Sequence, residues 1–584
     1  MKHGQLSFFV LLASMAAIPM SGVMAQQDGN GSALLQNLSP VTDVLLQSPP
    51  DADWLIWRRT YDSLGYSPLE QINKQNVSNL TEAWRAPLQA GSNMATPLVH
   101  DGVLYLLSTN DTVLALDATS GTELWRYKHE FRGFPAARIG IALHEDKVLV
   151  PTTDLHVLAL NAKTGALIWN NTINTTNTGP IPYSLRAAPL VAGGMVIQGV
   201  TATLMPEGGF IVGIDLQTGE EAWRFHTVAR PDAPGGHTWN DLSLPQRSGG
   251  SVWVPGSYDP DLNLVYFGSA PTYDTGPLLP DLGRAGISNE ALYTNATLAL
   301  RPQTGELVWY YQHMPNDQWD LDWVYERQIV TLPVNGVDRK VVLTAGKMAL
   351  YDALDAATGQ YIFSVDMGLQ NIVTGIDPVT GAKTLNPAAI PNAEDSNLLC
   401  PFANGGRNWP SAAVNPETRM LYVPMAEVCF DGGPTGSPGQ LLSSGVAMVP
   451  QPLPGSDGNF GRLQAVNLAT QELAWSHREI VTPASAVLAT GGGLVFTGAL
   501  NNSFRAFDDA TGEVLWQADV GDIPASFPIS YSVNGRQYIA VVVGQPSLHS
   551  NIFMGFLNGV LGPENSPVGS LQRSGAAVVV FALE

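Results

Sequence analysis

Residues 116–125 read LDATSGTELW, and the pattern returns as LNAKTGALIW (160–169), IDLQTGEEAW (214–223), LRPQTGELVW (300–309), LDAATGQYIF (354–363), VNLATQELAW (466–475) and FDDATGEVLW (507–516). A degenerate early copy, NVSNLTEAW, ends at Trp84. Each copy has the same physical grammar. An alternating apolar strand such as Val113-Leu114-Ala115-Leu116 runs into Asp-x-x-Thr-Gly, where the Asp can bond turn backbone and the Gly supplies positive φ. A second strand follows and carries the aromatic residue. Further apolar strands, KVLVPTT, GMVIQGV and LVFTGAL, lie between the copies.

Repeats of about 40 residues made of four strands mark propeller blades. The tightest copies fit that spacing, and the wide gaps from Trp223 to Trp309 and from Phe363 to Trp475 imply insertions. Eight aromatic endings predict an all-β, eight-bladed β-propeller with tryptophan-docking repeats. At a fixed repeat phase the tryptophans should pack on the neighbouring blade's turn, a structural role. Residues 26–584 are then one domain around a central channel, with function at one mouth. The chain before about Ala83 should close or cover the ring.

Only 14% of the residues are charged and the net charge is −22. That balance argues against nucleic acid or an anionic membrane surface as a partner, since either would repel it. An anionic cofactor would need a locally cationic pocket. Residues 1–25 have a basic start, an apolar run from Leu6 to Ile18 and Val23-Met24-Ala25 before Gln26, which reads as a cleaved secretory signal. The apolar run is too short for a membrane span, and the expected location is the periplasm. In an oxidising compartment Cys400 and Cys429 are expected to pair. Neither sits in a C-x-x-C-H motif, so no haem is attached through these cysteines, and any electrons must leave through a separate carrier.

The segment His313–Arg327, HMPNDQWDLDWVYER, concentrates acids among aromatics. Read as an extended segment, it sends Asp320 and Asp322 off the same face. Two like charges that close need a cation or a shared proton, which suggests a metal. A solvated acidic loop is the bland alternative, and flanking Trp319 and Trp323 argue for partial burial instead.

The repeats together with the WDLD segment make the chain resemble the quinoprotein alcohol dehydrogenases, which use pyrroloquinoline quinone (PQQ). SVWVPGSYDPDLNLVYFG, PTYDTGPL and NDQWDLDW are similar to the soluble branch of sorbose and deoxynivalenol dehydrogenases. The resemblance implies hydride transfer from an alcohol, sugar or secondary hydroxyl compound to PQQ, with a cytochrome c as external acceptor. It makes Asp320 the general base and a metal ligand, and Asp322 the extra ligand of lanthanide-using relatives. Calcium is the default ion and a lanthanide the alternative. Trp253 matches the tryptophan beneath the quinone, Ser251 a carboxylate-binding hydroxyl, Lys347 a cation on the quinone oxygens and Asn408 a cofactor contact. Arg407 and Trp409 extend that wall, bracketed by the family's disulfide at Cys400 and Cys429.

The departures are equally specific. No adjacent cysteines occur in FPAARIG (134–140); the family's arginine falls at Ile139, with Arg138 beside it. The usual metal-binding Glu falls at Leu204 and the usual Asn at Pro271, which leaves Glu207, Thr272 or Asp274 to rebuild the shell. Two other functions compete: a cofactor-free propeller acting as an outer-membrane assembly scaffold, and a glycosidase using Asp320 with Glu326. The scaffold has no use for Asp320, Trp253 and Lys347 in this order, and nothing else suggests a sugar cleft. Insertions 271–291 and 398–454 should line the substrate cavity.

Overall fold

The computed structural model describes residues 29–133, 135–175, 179, 181–390, 397–434 and 446–584. The export signal read at 1–25 lies outside them. Eight sheets of at least four strands make up the ring. Blade 1 runs in chain order through Leu98–His100, Val103–Ser108, Thr112–Asp117 and Glu123–Lys128, every neighbour antiparallel. Blades 2 to 7 occupy 142–172, 190–226, 257–312, 328–366, 413–479 and 488–519. Inner and middle strands are buried, whereas outer strands such as Leu80–Pro87 alternate, as period-2 side chains do when one face meets solvent.

Blade 8 closes the circle. Its outer strand is Leu80–Pro87, which pairs with the last strand of the chain, Ala577–Leu583, ahead of Arg536–Val543 and Ile529–Val533. Joining the two ends of the chain removes the free sheet edges that an open array would expose. Tyr66–Ser67 adds a short parallel strand to the inner edge of blade 7.

Seven blade junctions share one device. Trp84 donates its indole N–H to the Ala118 carbonyl of the next blade's turn at 3.1 Å, and the same bond joins Trp125 to Ala162, Trp169 to Leu216 and Trp223 to Pro302. It recurs from Trp309 to Ala356, Trp475 to Asp509 and Trp516 to Leu80. The turn glycine is required by the ring stacked on it: a Cβ at Gly359 would sit 2.4 Å from Trp309. At the eighth junction blade 5 offers Phe363, which has no N–H, and the facing turn of blade 6 carries Gln471 at φ 63° in place of glycine. Donor and glycine are both absent at this junction, whereas Trp516 docks on Leu80 in a turn that has no glycine.

Blade connectivity separates the two faces. The Asp-x-x-Thr-Gly turns join third to fourth strands on one face. Loops joining second to third strands, and those leading from one blade to the next, emerge on the other. Lys347 lies in the 345–350 loop of blade 5, and Asp320 in the connection from blade 4 to blade 5. Trp253, Arg138 and Asn408 lie in other blade connections, so every site residue inferred above projects from that second face. The insertions at 271–291 and 398–454 also leave from it.

Candidate active site at the channel mouth

The loop carrying WDLD is not a strand. It is held by Asp317, whose carboxylate accepts from the Trp319 and Leu321 amides at 2.8 and 2.7 Å and from Asn295 Nδ2 at 2.8 Å. Asn295 Oδ1 in turn accepts from the Trp323 amide. Asp320 then takes φ 62°, a left-handed conformation that aspartate tolerates better than most residues. The two carboxylates converge because this turn is pinned, and strand alternation plays no part. Trp319 and Trp323 are buried; Trp323 stacks flat on His313 at 4.4 Å.

The cation between the carboxylates is the protein's own. Lys347 Nζ lies 3.1 Å from Asp320 Oδ2 and 3.2 Å from Asp322 Oδ2, and donates to the Asp320 carbonyl at 2.8 Å. An ammonium has three donors, and all three are engaged. The Lys347 backbone is fixed as well, its N–H on the Asp322 carbonyl and its carbonyl accepting from Gly406. Burial pushes the Asp320 carboxyl well above its usual range, only partly offset by Lys347, and raises Asp322 in the same way. Burial opposes the Lys347 charge, but Asp320 and Asp322 together raise its pKa. Asp320 Oδ1 is buried without a hydrogen-bond partner among the described residues.

Trp253 reaches this cluster through Tyr325. The two rings meet edge to face at 5.3 Å, and the Tyr325 hydroxyl lies within electrostatic reach of Asp322 and Asp320. Behind Tyr325 stands Arg407, 4.8 Å from its ring and paired with Glu326 at 2.5 Å. Glu326 also accepts from the Ala412 amide, so it is a structural partner and no second catalytic acid. Tyr273 donates to Asp322 Oδ1 at 3.3 Å and faces Ser251, whose Oγ accepts from the Ala202 amide. Asn408 bonds the Asn404 carbonyl and the Trp409 amide, bracing the 404–409 turn against the Lys347 loop. Trp409 meets Phe527 and His549. Cys400 and Cys429 form a disulfide.

Three assignments do not come to the cluster. Arg138 is buried in an ion pair with Asp111 and a 2.9 Å bond to Thr153, tying blades 1 and 2 together. Glu207 is drawn to Arg230 at 3.7 Å. Thr272 Oγ1 turns to the Asp274 carbonyl, and Asp274 itself is exposed. Among the described residues the one set of three His or carboxylate groups at metal-ligand spacing is Asp53, His100 and Asp101, in the first turn of blade 1 on the opposite face. Two carboxylates already bridged by an ammonium are a poor set for calcium, which takes six to eight oxygens. The donors present do not fit the implied ion.

The same mouth leaves a flat aromatic surface and two buried polar atoms open to a partner. Trp253 is only half-buried, leaving an indole surface open, and the buried Tyr325 hydroxyl and Asp320 Oδ1 have no partners among the described residues. Two contributors escaped the sequence reading. His549, in the helix Leu548–Leu561 inserted into blade 8, approaches Lys347. Arg186, between blades 2 and 3, approaches Tyr273. Neither stands in a motif, and only ring closure brings them in.

Comparison with known proteins identifies the family. The family described as "PQQ: Glucose/ethanol/alcohol dehydrogenase, beta-propeller domain" matches residues 54–369 and 434–539. The chain belongs to the PQQ-dependent alcohol dehydrogenase family. It is 33% identical over 522 residues to quinohemoprotein alcohol dehydrogenase ADH IIB of Pseudomonas putida, covering 84% of this chain and 73% of that protein. It is also 33% identical over 547 residues to the dehydrogenase subunit of an alcohol dehydrogenase (quinone) of Komagataeibacter europaeus, covering 86% and 73%. Among solved structures, quinohemoprotein alcohol dehydrogenase from Comamonas testosteroni superposes with a TM-score of 0.81 at 26% identity, over 95% of this chain and 84% of that one. A europium-containing methanol dehydrogenase matches with a TM-score of 0.81 at 25% identity, over 92% and 99%. Among the described residues of this quinoprotein no helix is long and apolar enough to cross a membrane.

Proposed function

We propose that the chain is a periplasmic PQQ-dependent dehydrogenase that oxidises an alcohol, sugar or secondary hydroxyl compound to the carbonyl and passes electrons to an external cytochrome c. The observation that carries this is the convergence of Asp320, Lys347 and the open face of Trp253 on one mouth, joined through Tyr325. A scaffold gains nothing from burying two carboxylates on one lysine, an arrangement that costs stability unless function requires it.

Bound PQQ would supply the two-electron acceptor for the carbinol hydrogen. The chain does the rest. Asp320 Oδ1, free of partners, takes the hydroxyl proton. Lys347 holds Oδ2 and fixes the carboxylate's orientation. Trp253 offers a flat surface for a planar ring, and the Tyr325 edge limits its tilt. The buried aromatic wall of Trp319, Trp323 and Tyr325 keeps water from the base. Calcium or a lanthanide would have to share Asp320 and Asp322 with Lys347, and no step here is routed through such an ion.

The test is reconstitution of purified protein with PQQ, alone and with calcium or a lanthanide, followed by dye reduction over a panel of primary alcohols, secondary alcohols and sugars. Quinone absorbance retained after desalting and turnover on at least one panel member are expected. No retained quinone and no turnover in any arm would refute the reading.

A further inference from the structure

PQQ is a trianion, yet the cluster beneath it is itself acidic. Asp320 and Asp322 bring two negative charges and Lys347 one positive, leaving an excess that repels an anion. The neighbouring cations are already committed: Arg407 to Glu326 and Arg138 to Asp111. Arg186 differs. Its guanidinium makes no hydrogen bond or ion pair with another described residue, and its side chain is exposed, although surrounding protein lowers its pKa by desolvation. Arg186 stands in the connection from blade 2 to blade 3, which emerges on the same face as Asp320 and Lys347. Tyr273, the phenol on Asp322, is the titratable group beside it.

Its backbone position adds an independent observation. The Arg186 carbonyl accepts from the Ile139 amide at 2.9 Å, and the Ile139 carbonyl accepts from Thr96 at 2.7 Å. Arg186 therefore grows from the segment laid directly against Ile139, which is a buried apolar residue and supplies no charge. A guanidinium presents a planar fork that matches a carboxylate in two parallel bonds.

We infer that Arg186 binds a carboxylate of the quinone cofactor and supplies the positive charge that Ile139 lacks and Arg138 cannot provide. The inference rests on the PQQ reading above. It is tested by titrating PQQ and its trimethyl ester into wild-type protein, Arg186→Gln and Arg186→Lys, reading tryptophan fluorescence quenching, with a thermal melt of each variant. Arg186→Gln should melt with wild type, having lost no protein contact, and bind PQQ roughly ten- to a hundredfold more weakly. Arg186→Lys should recover part of the loss, and the ester should bind wild type and Arg186→Gln equally. Equal PQQ affinity in wild type and Arg186→Gln would overturn the inference while leaving the PQQ reading intact. So would an effect confined to KM for acidic substrates, which would assign the charge to substrate. Failure of wild type to bind PQQ would remove both. Should Arg186→Gln misfold, wild type binding the ester as tightly as PQQ overturns the inference without any variant.

Discussion

On the blade 5 side of the mouth, Asp320, Asp322 and Lys347 meet within 3.2 Å and every donor of the lysine is used. On the side built by blades 2 to 4 stand Ile139, Leu204 and Pro271, none of which carries a charge, and nearby the Arg186 side chain makes no hydrogen bond or ion pair with another described residue. On the reading proposed above, the first side holds the proton acceptor and the second supplies positive charge through Arg186. Catalytic geometry tolerates little displacement, because a base must lie within hydrogen-bond reach of its proton. Charge neutralisation acts over several ångströms and can be moved from one strand to the next.

Breaking the blade 5 side should have the largest effect on stability. Lys347→Met leaves two buried carboxylates without a counter-charge, and removing one partner of a buried pair costs about 3–5 kcal/mol. Its melting temperature should fall sharply, and the triple variant with Asp320→Asn and Asp322→Asn should regain most of the loss. A triple variant no more stable than Lys347→Met would show that the ammonium does not serve to neutralise the pair.

A smaller effect is expected at the ring junctions. Trp309→Phe removes the 3.2 Å bond to Ala356 and should cost about 1 kcal/mol by chemical denaturation. Phe363→Trp should not yield the matching gain, since Gln471 stands where six of the seven docked indoles lie on a glycine.

Acid should weaken the blade 5 side specifically. Burial, and then the nearby Lys347, depress the His549 pKa to about 3, and burial takes His313 to about 4, from an ordinary 6.5. Both stay neutral in the fold while the unfolded chain takes up protons, so the stability they contribute is complete above pH 6.5 and is lost as pH falls toward 4. His549→Asn should flatten that part of the stability profile, and an unchanged slope would contradict the assignment. The smallest effect is expected from chelation. Exhaustive dialysis against EDTA should leave PQQ affinity unchanged, because Arg186 supplies the charge; loss of PQQ binding restored by calcium would restore a metal to the site.

The fold was legible because its signal is repeated: eight aromatic endings, seven of them tryptophans that dock as the periodicity implies, mark eight blades. Asp320, Lys347 and Trp253 each sit in a short motif within a blade connection or loop, which is why the sequence could propose them together, and the structure carries all three on one face. The metal shell was not legible. Glu207 and Thr272 lie close in sequence to the right positions, but Arg230 and the Asp274 carbonyl capture them, and such local competition leaves no periodic trace. Arg138 is likewise held by an ion pair, with Asp111 of blade 1. Arg186 and His549 were missed because nothing around them in sequence distinguishes them from surface residues.

The central claim is that Asp320 is the proton acceptor in a PQQ-binding mouth. The most direct measurement compares wild type and Asp320→Asn after PQQ loading, reading quinone retained and dye-coupled turnover on the same samples. The account predicts that Asp320→Asn holds PQQ while turnover falls by about 10²–10⁴-fold, the contribution of a general base. Turnover equal to wild type at equal quinone content would contradict it.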